Sequence, residues 1–291
     1  MFLKNMALLR KPILNLLQIK GGVNFMKNIR SELYKIFSLP LFWRGVAILI
    51  GISVFFTFQN IQVINAIANG NTDILILEDT TSQLTEFQTV RDAILSSPYQ
   101  SSILFFPILF ALIVSTEYKF GQESFTKLLI PKWQTVLTGQ ICSGIIVSSM
   151  LTVVLSLINS AMLYTMLDET LQKYLNLGLV LEVTLRIIIF SITLTLLSMF
   201  LVTITRKAIP SVIIIVSLLL ITLSGILRVL SPTLEHLLPL IGAKSFVFGR
   251  VENNNPSEMY GLFLLLSQAL IVTILMYTNS WYKNQKEKKH G

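Results

Sequence analysis

The side chains that most often carry out chemistry are scarce in this chain of 291 residues. It contains two histidines, His236 and His290, and one cysteine, Cys142, which lies inside an apolar run. A single cysteine cannot form an internal disulfide or supply a cysteine-based metal site. The chain has no His-Glu-x-x-His pattern and no Glu-Glu pair, so an enzyme would lack the usual nucleophile with its base, or the usual metal ligands.

A phosphate-binding loop is also missing from the chain. The segment Gly242-Ala243-Lys244-Ser245 lacks both glycines of the Gly-x-x-x-x-Gly-Lys-Ser/Thr pattern. Any ATPase that drives this protein is therefore expected on another polypeptide. The apolar runs carry no series of ionisable residues that would make a proton relay, which argues against an ion-coupled transporter.

The composition indicates a membrane protein. Hydrophobic residues make up 53% of the chain and charged residues only 13%, and the mean hydropathy is +0.70, whereas soluble domains have about 25% charged residues. The net charge of +8 comes from basic residues that flank apolar runs. Anionic lipid head groups are therefore the expected partner of these residues, rather than nucleic acid.

Apolar runs of membrane-spanning length predict six transmembrane helices. A hydrocarbon core of about 30 Å requires about 20 apolar residues at 1.5 Å each. The six runs are Gly45–Ile64, Ser101–Thr116, a stretch within Val136–Leu167, Leu181–Thr205, Ile209–Leu227 and Tyr260–Tyr282. The third run is too long for one upright helix, so its start is expected to belong to the preceding segment. The outer loop before the second run, Gln62–Gln100, is mostly polar and has the pattern of an amphipathic helix at Thr85–Leu95.

The distribution of charge predicts the orientation, because basic loops stay in the cytoplasm. One side of the predicted spans carries Lys4, Arg10, Lys11, Lys20, Lys27, Arg30, Lys35, Arg44, Lys119, Lys127, Lys132, Arg206, Lys207, Lys283, Lys286, Lys288 and Lys289. The loops on the other side are mainly acidic. We therefore expect a multi-pass protein of a bacterial cytoplasmic membrane with both termini in the cytoplasm.

The first 25 residues allow two interpretations. They lack the long apolar stretch and the cleavage site of a signal peptide. Lys20-Gly21-Gly22 precedes Met26 at a distance at which its codons would form a bacterial ribosome-binding sequence. Translation would then start at Met26, and residues 26–291 would form the six-span domain. The alternative is an additional amphipathic arm.

The segment from Glu117 to Trp133, after the second predicted span, is the most informative part of the sequence. A carboxylate at the end of the span precedes a glycine turn at Gly121, a short amphipathic helix and a stop at Pro131. This segment resembles the cytoplasmic loop of ABC-2 type permeases. An ordinary juxtamembrane loop is the alternative.

The resemblance implies that this loop is a coupling helix that transmits ATP hydrolysis in a separate subunit to the spans. Glu117 corresponds to the acid at the hinge of the family's loop and Gly121 to its turn. Leu128 and Leu129 correspond to its buried face, and Pro131 to its terminator. Lys127 and Lys132 are the charges expected to contact the ATPase subunit. The chain departs from the family after the glycine, where it has Gln122, and after the proline.

The segment before the first span has the pattern of an amphipathic helix that lies on the inner leaflet. Ile29, Leu33, Ile36 and Phe37 share one face, while Lys27, Arg30, Glu32 and Lys35 lie elsewhere. Pro40 follows, and Phe42 and Trp43 are expected at interface depth. The segment resembles the elbow helix of ABC-2 permeases, and a generic basic anchor is equally compatible with it.

Between the fifth and sixth spans the chain is unusually apolar for an outer loop. Prolines and glycines interrupt Leu230–Phe248, which predicts short helices that dip into the outer leaflet. Such re-entrant helices are similar to those that ABC-2 permeases often have before the sixth span. Glu235 and His236 are the polar pair of this loop, and they either contact substrate or are solvated at the interface.

Small polar residues form stripes within two of the predicted spans. Ser149, Thr152, Ser156 and Asn159 lie along the third, and Ser191, Thr195 and Ser198 along the fourth. They either line a substrate path or allow close packing of helices. Glu182 and Arg186 are four residues apart and are expected to form a structural ion pair.

The resemblance to ABC-2 permeases implies the subunit of an exporter without ATPase activity of its own. ATP and Mg²⁺ would bind to two ATP-binding subunits, and the permease would pair with itself or with a paralogue. The chain is similar to small permeases of Gram-positive bacteria that export antimicrobial peptides or confer immunity to them. An amphipathic cargo such as a peptide, drug or lipid is therefore expected. The alternatives are a scaffold or sensor subunit and an intramembrane enzyme.

Overall fold

The fold is entirely helical where the structure describes it. A computed structural model describes residues 23–68, 86–119, 133–249 and 256–290, and these ranges contain no strand. The all-α prediction is thus confirmed. Helices suit such an apolar chain because they satisfy backbone N–H and C=O groups within one segment, without water.

Long helices account for most of the described residues. They are α1 (Val23–Ser38), α2 (Pro40–Ala68), α3 (Glu86–Ser115), α4 (Trp133–Met166), α6 (Leu177–Thr205), α7 (Ala208–Leu223) and α12 (Glu258–His290). A 3₁₀ turn, Thr116–Tyr118, extends α3. The short helices are α5 (Glu169–Gln172), α8 (Ile226–Leu230), α9 (Pro232–Leu237), α10 (Pro239–Gly242) and α11 (Lys244–Phe248).

Five of these helices, α2, α3, α4, α6 and α12, are long and apolar enough to cross a membrane by length and composition. They coincide with predicted spans one to four and six. The predicted fifth span corresponds to α7, which has 16 residues and is about 24 Å long at 1.5 Å per residue. Gly225 follows α7 with a left-handed backbone (φ 68°), and α8 begins after it.

Helices α3 and α6 form the centre of the bundle. In each, 61% of the most apolar stretch is buried, against 22% in α2 and 28% in α12. Helix α7 packs against α3 and α6 through one face, which includes Ser211, Ile215 and Leu219 at intervals of four residues. Its Ile213 and Leu220 are exposed. The apolar surface of α7 therefore exceeds what its neighbours cover.

Two of the long helices begin earlier than the apolar runs that predict them. The amphipathic pattern at Thr85–Leu95 lies, from Glu86 onward, in the first turns of α3 rather than in the outer loop, and Val90 and Ile94 are buried there by neighbouring helices. The long third run is one continuous helix, α4, of 34 residues, about 51 Å. Its first turns pack against α1, so the bundle itself buries the extra length.

The bundle has two ends with different charged groups. At one end lie α1, Glu117 and Arg206, and we call it the α1 end. Helix α12 reaches this end late in its course, because Asn279 Nδ2 donates to the carbonyl oxygen of Thr203 (3.4 Å) near the end of α6. The opposite end, which we call the far end, carries Glu86 at the beginning of α3.

The short helices α9 and α10 are held at the far end by hydrogen bonds from the long helices. The Tyr99 hydroxyl of α3 donates to the carbonyl oxygen of Leu240 (3.2 Å). The side-chain amide of Gln268 in α12 donates to the carbonyl oxygen of Leu237 (2.6 Å). The structure thus contains short helices in the region where the proline and glycine pattern predicts them.

We expect Gly242→Ala to destabilise this far-end layer. A Cβ at Gly242 would collide with the carbonyl oxygen of His236, whose carbon would lie only 2.9 Å away. Backbone cannot rotate aside as a side chain can, so we expect a loss of about 1 to 3 kcal/mol. Thermal unfolding of the purified protein measures the effect.

Gly51→Ala is the matched control, because a Cβ at Gly51 has nothing within 4 Å. It should be neutral or stabilise the protein by up to about 1 kcal/mol, since alanine favours a helix. Equal unfolding temperatures for the two variants would contradict the proposed close approach.

Candidate functional site

Three charged side chains meet at the α1 end and form what we call the charge triad: Glu32, Lys35 and Glu117. Lys35 Nζ donates to Glu32 Oε1 at 2.7 Å and to Glu117 Oε1 at 3.0 Å. Both carboxylates are nearly buried, with side chains 10% and 12% exposed, whereas the Lys35 side chain is 39% exposed. One ammonium group thus joins α1 to the end of α3.

Local helix geometry places these groups. Glu32 and Lys35 are three residues apart, so they lie on the same side of α1. Glu117 lies in the 3₁₀ turn that ends α3, where the hydroxyl of Thr116 donates to the carbonyl oxygen of Ile113 (2.7 Å). The turn brings Glu117 to the side of α3 that faces α1.

A glycine in α4 allows α1 to approach closely enough to bury Glu32. A Cβ at Gly139 would lie 3.2 Å from Glu32 Cγ and 3.5 Å from the carbonyl oxygen of Asn28. Glu32 is therefore covered by α4 and is only 7% exposed. The helical pattern places Glu32 away from the apolar face of α1, and the structure shows that α4 nevertheless covers it.

Burial and charge change the acidity of two members of the triad. Burial raises the pKa of Glu32 above its ordinary value of 4.5, and the nearby Glu117 carboxylate adds to the rise, although Lys35 opposes it. Burial alone would lower the pKa of Lys35. The hydrogen bond to Glu32 and the two carboxylate charges outweigh that effect and raise it. Lys35 therefore stays protonated, although the neighbouring carboxylate of Glu32 is poorly solvated.

A cavity of about 30 Å³ adjoins the triad. Its walls include Glu32, Lys35, Glu117, Gln140 and Met199. Gln140 is 5% exposed, and its Oε1 atom has no hydrogen-bond partner in the described part of the chain. The cavity therefore combines a buried acceptor with a cluster of charged groups.

The apolar residues predicted for α1 face the protein. Ile36 is buried, Leu33 and Phe37 are half-buried, and all three pack in one hydrophobic cluster with residues of α2, α3 and α4. Ile29 is also half-buried. The amphipathic helix is thus present, but its apolar side meets the bundle rather than lying on lipid.

The two aromatic residues expected at interface depth differ. Phe42 is 1% exposed and packs edge-on against Phe37, with ring centroids 5.4 Å apart. Trp43 is exposed, and its indole N–H donates to the carbonyl oxygen of Phe37 (2.8 Å). Only Trp43 therefore has the accessibility of an interfacial residue.

Of the residues assigned to the coupling loop, the structure describes Glu117. The others lie outside the described residues: Gly121, Lys127, Leu128, Leu129, Pro131 and Lys132. Glu117 is the last of the nearly buried residues before that segment and is anchored by Lys35. The structure thus defines the point where the segment leaves α3.

Asn159, predicted to line a path or to aid packing, is a link between helices. Its Nδ2 atom donates to the carbonyl oxygens of Ile94 (2.7 Å) and Ala93 (3.2 Å) in α3, and its Oδ1 atom accepts from Thr57 of α2 (2.8 Å). Pro98 has no N–H group, so the carbonyl of Ile94 loses its normal helical partner. Asn159 supplies the missing hydrogen bond.

The other members of the stripe on α4 differ in their surroundings. Ser149 is half-exposed and donates to Ile145 of its own helix, while Thr152 is buried and donates to Ser148. Ser156 is buried, and its hydroxyl has no partner within the described ranges. Three of the four positions, Thr152, Ser156 and Asn159, therefore lie in the protein interior.

The stripe on α6 contacts α3. The Ser191 hydroxyl donates to the hydroxyl of Ser102 (3.1 Å), and Ser198 donates to the carbonyl oxygen of Pro107. Thr195 lies one turn from Ser191 and is also buried. These contacts favour the packing interpretation of the polar stripes, since small hydroxyl residues let the two central helices approach.

A second charged cluster joins the helices at the far end. The predicted pair between Glu182 and Arg186 is confirmed (3.0 Å), and each residue has a further partner. Arg91 of α3 binds Glu182 (2.8 Å), and Arg186 binds Glu258 of α12 (2.9 Å). The cluster therefore connects α3, α6 and α12.

Sequence reasoning did not identify Lys35, Glu32 and Gln140 as members of one site. The spacing of Glu32 and Lys35 is a visible signal of an ion pair on a helix. No local pattern indicates that Glu117, 82 residues after Lys35, completes the triad. Gln140 looks like one more polar residue in an otherwise apolar helix.

Among the described residues, no group of three or more His, Cys, Asp or Glu side chains is arranged to hold a metal ion. No protein-family model matches the chain, and comparisons with curated proteins and with solved structures found no match. The site is therefore interpreted from its own geometry and from the sequence pattern around it.

We expect Lys35→Met to destabilise the protein, because it leaves two nearly buried carboxylates next to each other without a cation. Allowing for solvent screening of a half-exposed lysine, the loss should be about 1 to 2 kcal/mol. Chemical denaturation in lipid nanodiscs measures it. The control is Lys173→Met, which breaks an exposed pair with Glu86 and should leave stability unchanged. Equal effects of the two variants would contradict the role of the triad.

We expect Asn159→Ala to cost about 1 to 3 kcal/mol of stability, because it removes the bonds to Ile94 and Thr57 from the bundle interior. Ser149→Ala is the control, since Ser149 is half-exposed and bonds within its own helix. Both variants are compared with the wild type by thermal unfolding. An Asn159→Ala protein as stable as the control would show that Asn159 is not a structural link.

Proposed function

We propose that this chain is the membrane-spanning permease subunit of an ATP-driven ABC exporter of the ABC-2 type. The observation that carries the proposal is the bridge from Lys35 to Glu117. It joins the amphipathic N-terminal helix to the point where the segment resembling a coupling helix leaves α3. In such an exporter, these are the two elements that contact the ATP-binding subunit.

The packing of the helices suggests how a movement of that segment would reach the spans. The segment continues directly from the 3₁₀ turn that ends α3. Helix α3 packs extensively against α6, and together they form the centre of the bundle. A displacement of Glu117 would therefore act on the innermost pair of helices and, through Lys35, on α1.

A sixth crossing by α7 completes the proposed topology. Helix α7 begins at the α1 end, where the hydroxyls of Thr205 and Ser211 form a hydrogen bond (2.5 Å). The helices that follow it are bonded at the far end by Tyr99 and Gln268. The short α7 would cross with the help of α8, with local thinning of the bilayer.

The α1 end is the cytoplasmic end in this proposal. Its basic residues include Lys27, Arg30, Arg44, Arg206 and Lys207, and basic residues flanking spans are retained in the cytoplasm. With six crossings, both termini lie on this side of a bacterial cytoplasmic membrane. The short helices α8 to α11 are then on the outer side and re-enter the outer leaflet.

Exposed apolar side chains on these short helices support an amphipathic cargo. Ile226 and Val229 of α8 and Leu234 and Leu237 of α9 are exposed. A peptide, drug or lipid taken from the membrane could contact this surface as it leaves. We propose export of such a cargo, with an antimicrobial peptide as the leading candidate.

The working complex in this proposal contains two permeases and two ATP-binding subunits. The second permease is another copy of this chain or a paralogue, and ATP and Mg²⁺ bind to the ATP-binding subunits alone. Lys127 and Lys132 of the coupling segment supply charges for docking.

We expect the chain to copurify with a coexpressed ATP-binding cassette protein of its own organism and to raise the ATPase rate of that protein. The double variant Lys127→Glu and Lys132→Glu should lose most of this stimulation, because it reverses the docking charges. Lys173→Glu is the control, since it changes a lysine at the far end and should preserve stimulation. ATP hydrolysis in proteoliposomes is the measurement.

Other results would favour other functions. Failure to associate with the ATPase, or full stimulation by the double variant, would contradict the coupling proposal. Association without cargo-dependent hydrolysis would indicate a scaffold or sensor. Processing of a substrate without ATP would indicate an enzyme.

A further inference from the structure

The charge triad has an excess of one negative charge. Glu32 and Glu117 each carry a carboxylate, and Lys35 supplies a single ammonium group within 3.0 Å of both. Uncompensated charge is costly where side chains are buried. The cluster would therefore gain from one additional positive charge at the carboxylates.

The cavity beside the triad provides a partner for that charge. Glu32 Cγ packs against Gly139, directly before Gln140 in α4. Gln140 lines the same cavity as Glu32, and only 5% of it is exposed. Its Oε1 atom has no hydrogen-bond partner among the described residues. A carboxylate cannot donate a hydrogen bond to this oxygen, but a carboxylic acid can.

We propose that this cavity is a proton-binding site in which Glu32 takes up one proton and then donates a hydrogen bond to Gln140. The proton comes from water at the α1 end and forms an O–H bond with the Glu32 carboxylate. The net charge of the triad then changes from minus one to zero. The buried amide oxygen gains the donor that it lacks.

A proton suits the site better than a metal ion. Lys35 Nζ already occupies the position between the two Oε1 atoms, at 2.7 and 3.0 Å, and would repel a second cation there. The cavity of about 30 Å³ admits water, which can carry the proton to Glu32. A proton adds charge at Glu32 without requiring further ligands or space.

The groups that face Glu32 are few in the described part of the chain. Helix α1 contributes Lys35, and the turn after α3 contributes Glu117. Helices α4 and α6 contribute the uncharged Gln140, Ser143, Gly144 and Met199 to the cavity wall. The titration of Glu32 is thus set by Lys35, by Glu117 and by burial.

Protonation would change how α1 is attached to the bundle. Neutral Glu32 holds Lys35 more weakly, so Lys35 keeps Glu117 as its one charged partner. The joint between α1 and α3 would then respond to pH at the α1 end. This inference does not depend on the proposed transport function, because it concerns only the cavity and the triad.

The direction of the stability change follows from the raised pKa of Glu32. Below its ordinary pKa, Glu32 is protonated in both the folded and unfolded states. At pH values between the ordinary and the raised pKa, the folded state holds the proton and the unfolded state has released it. Folding therefore becomes less favourable as the pH rises through this range. Stability from this group is therefore gained as the pH falls through the raised pKa.

The test is pH-difference infrared spectroscopy on the full chain in nanodiscs. When the pH is lowered from about 7.5 to about 5, the C=O band of a protonated carboxyl group should appear, and it should do so at pH values above the ordinary pKa of glutamate. Glu32→Gln should remove this band. It should also flatten the dependence of the unfolding temperature on pH, because the amide cannot titrate. Glu86→Gln, in the exposed pair with Lys173, should leave the band and the pH dependence intact.

A second variant covers the case in which Glu32→Gln does not fold. Glu117→Gln removes a negative charge that raises the pKa of Glu32, so it should shift the infrared titration to lower pH. Persistence of the band in Glu32→Gln, or no shift in Glu117→Gln, would overturn the proposal. The unfolding temperature is also measured with choline chloride in place of sodium chloride. If it changes with the exchange of sodium for choline but not with pH, the proposal is likewise overturned.

Discussion

In apolar surroundings every backbone N–H and C=O group must find its partner within the protein, and the architecture depends on this constraint. It accounts for an all-helical chain in the described residues, and it is most demanding at α3, which contains Pro98 and Pro107. Asn159 donates to the Ile94 carbonyl that Pro98 leaves without its helical partner. Helix α4 thus satisfies the backbone group of α3 that Pro98 leaves without a helical partner.

The charged residues that join helices occupy the two ends of the bundle. At the α1 end, Lys35 binds two carboxylates, and at the far end Arg186 binds both Glu182 and Glu258. The named contacts between the middle parts of the helices use hydroxyl and amide groups, which are far less costly to bury than ions. Ion pairs thus connect helices at the ends, and neutral hydrogen bonds align them in between.

The charge triad gives one structural element two proposed roles. As a mechanical joint, Lys35 would pass movement of the segment after Glu117 to α1. As a proton site, Glu32 would weaken that joint when it becomes neutral. Both roles involve Lys35, which contacts Glu32 and Glu117 at once.

The sequence by itself determined which segments are long apolar helices and that α1 is amphipathic, because hydropathy and helical period are local properties. It did not determine the start of α3, the continuity of α4 or the burial of Glu32, because neighbouring helices cover these residues. Only the tertiary structure decided that Lys35 meets Glu117, 82 residues away, and that Asn159 completes a helix other than its own. Such pairings depend on how distant segments pack, and no spacing along the chain encodes that.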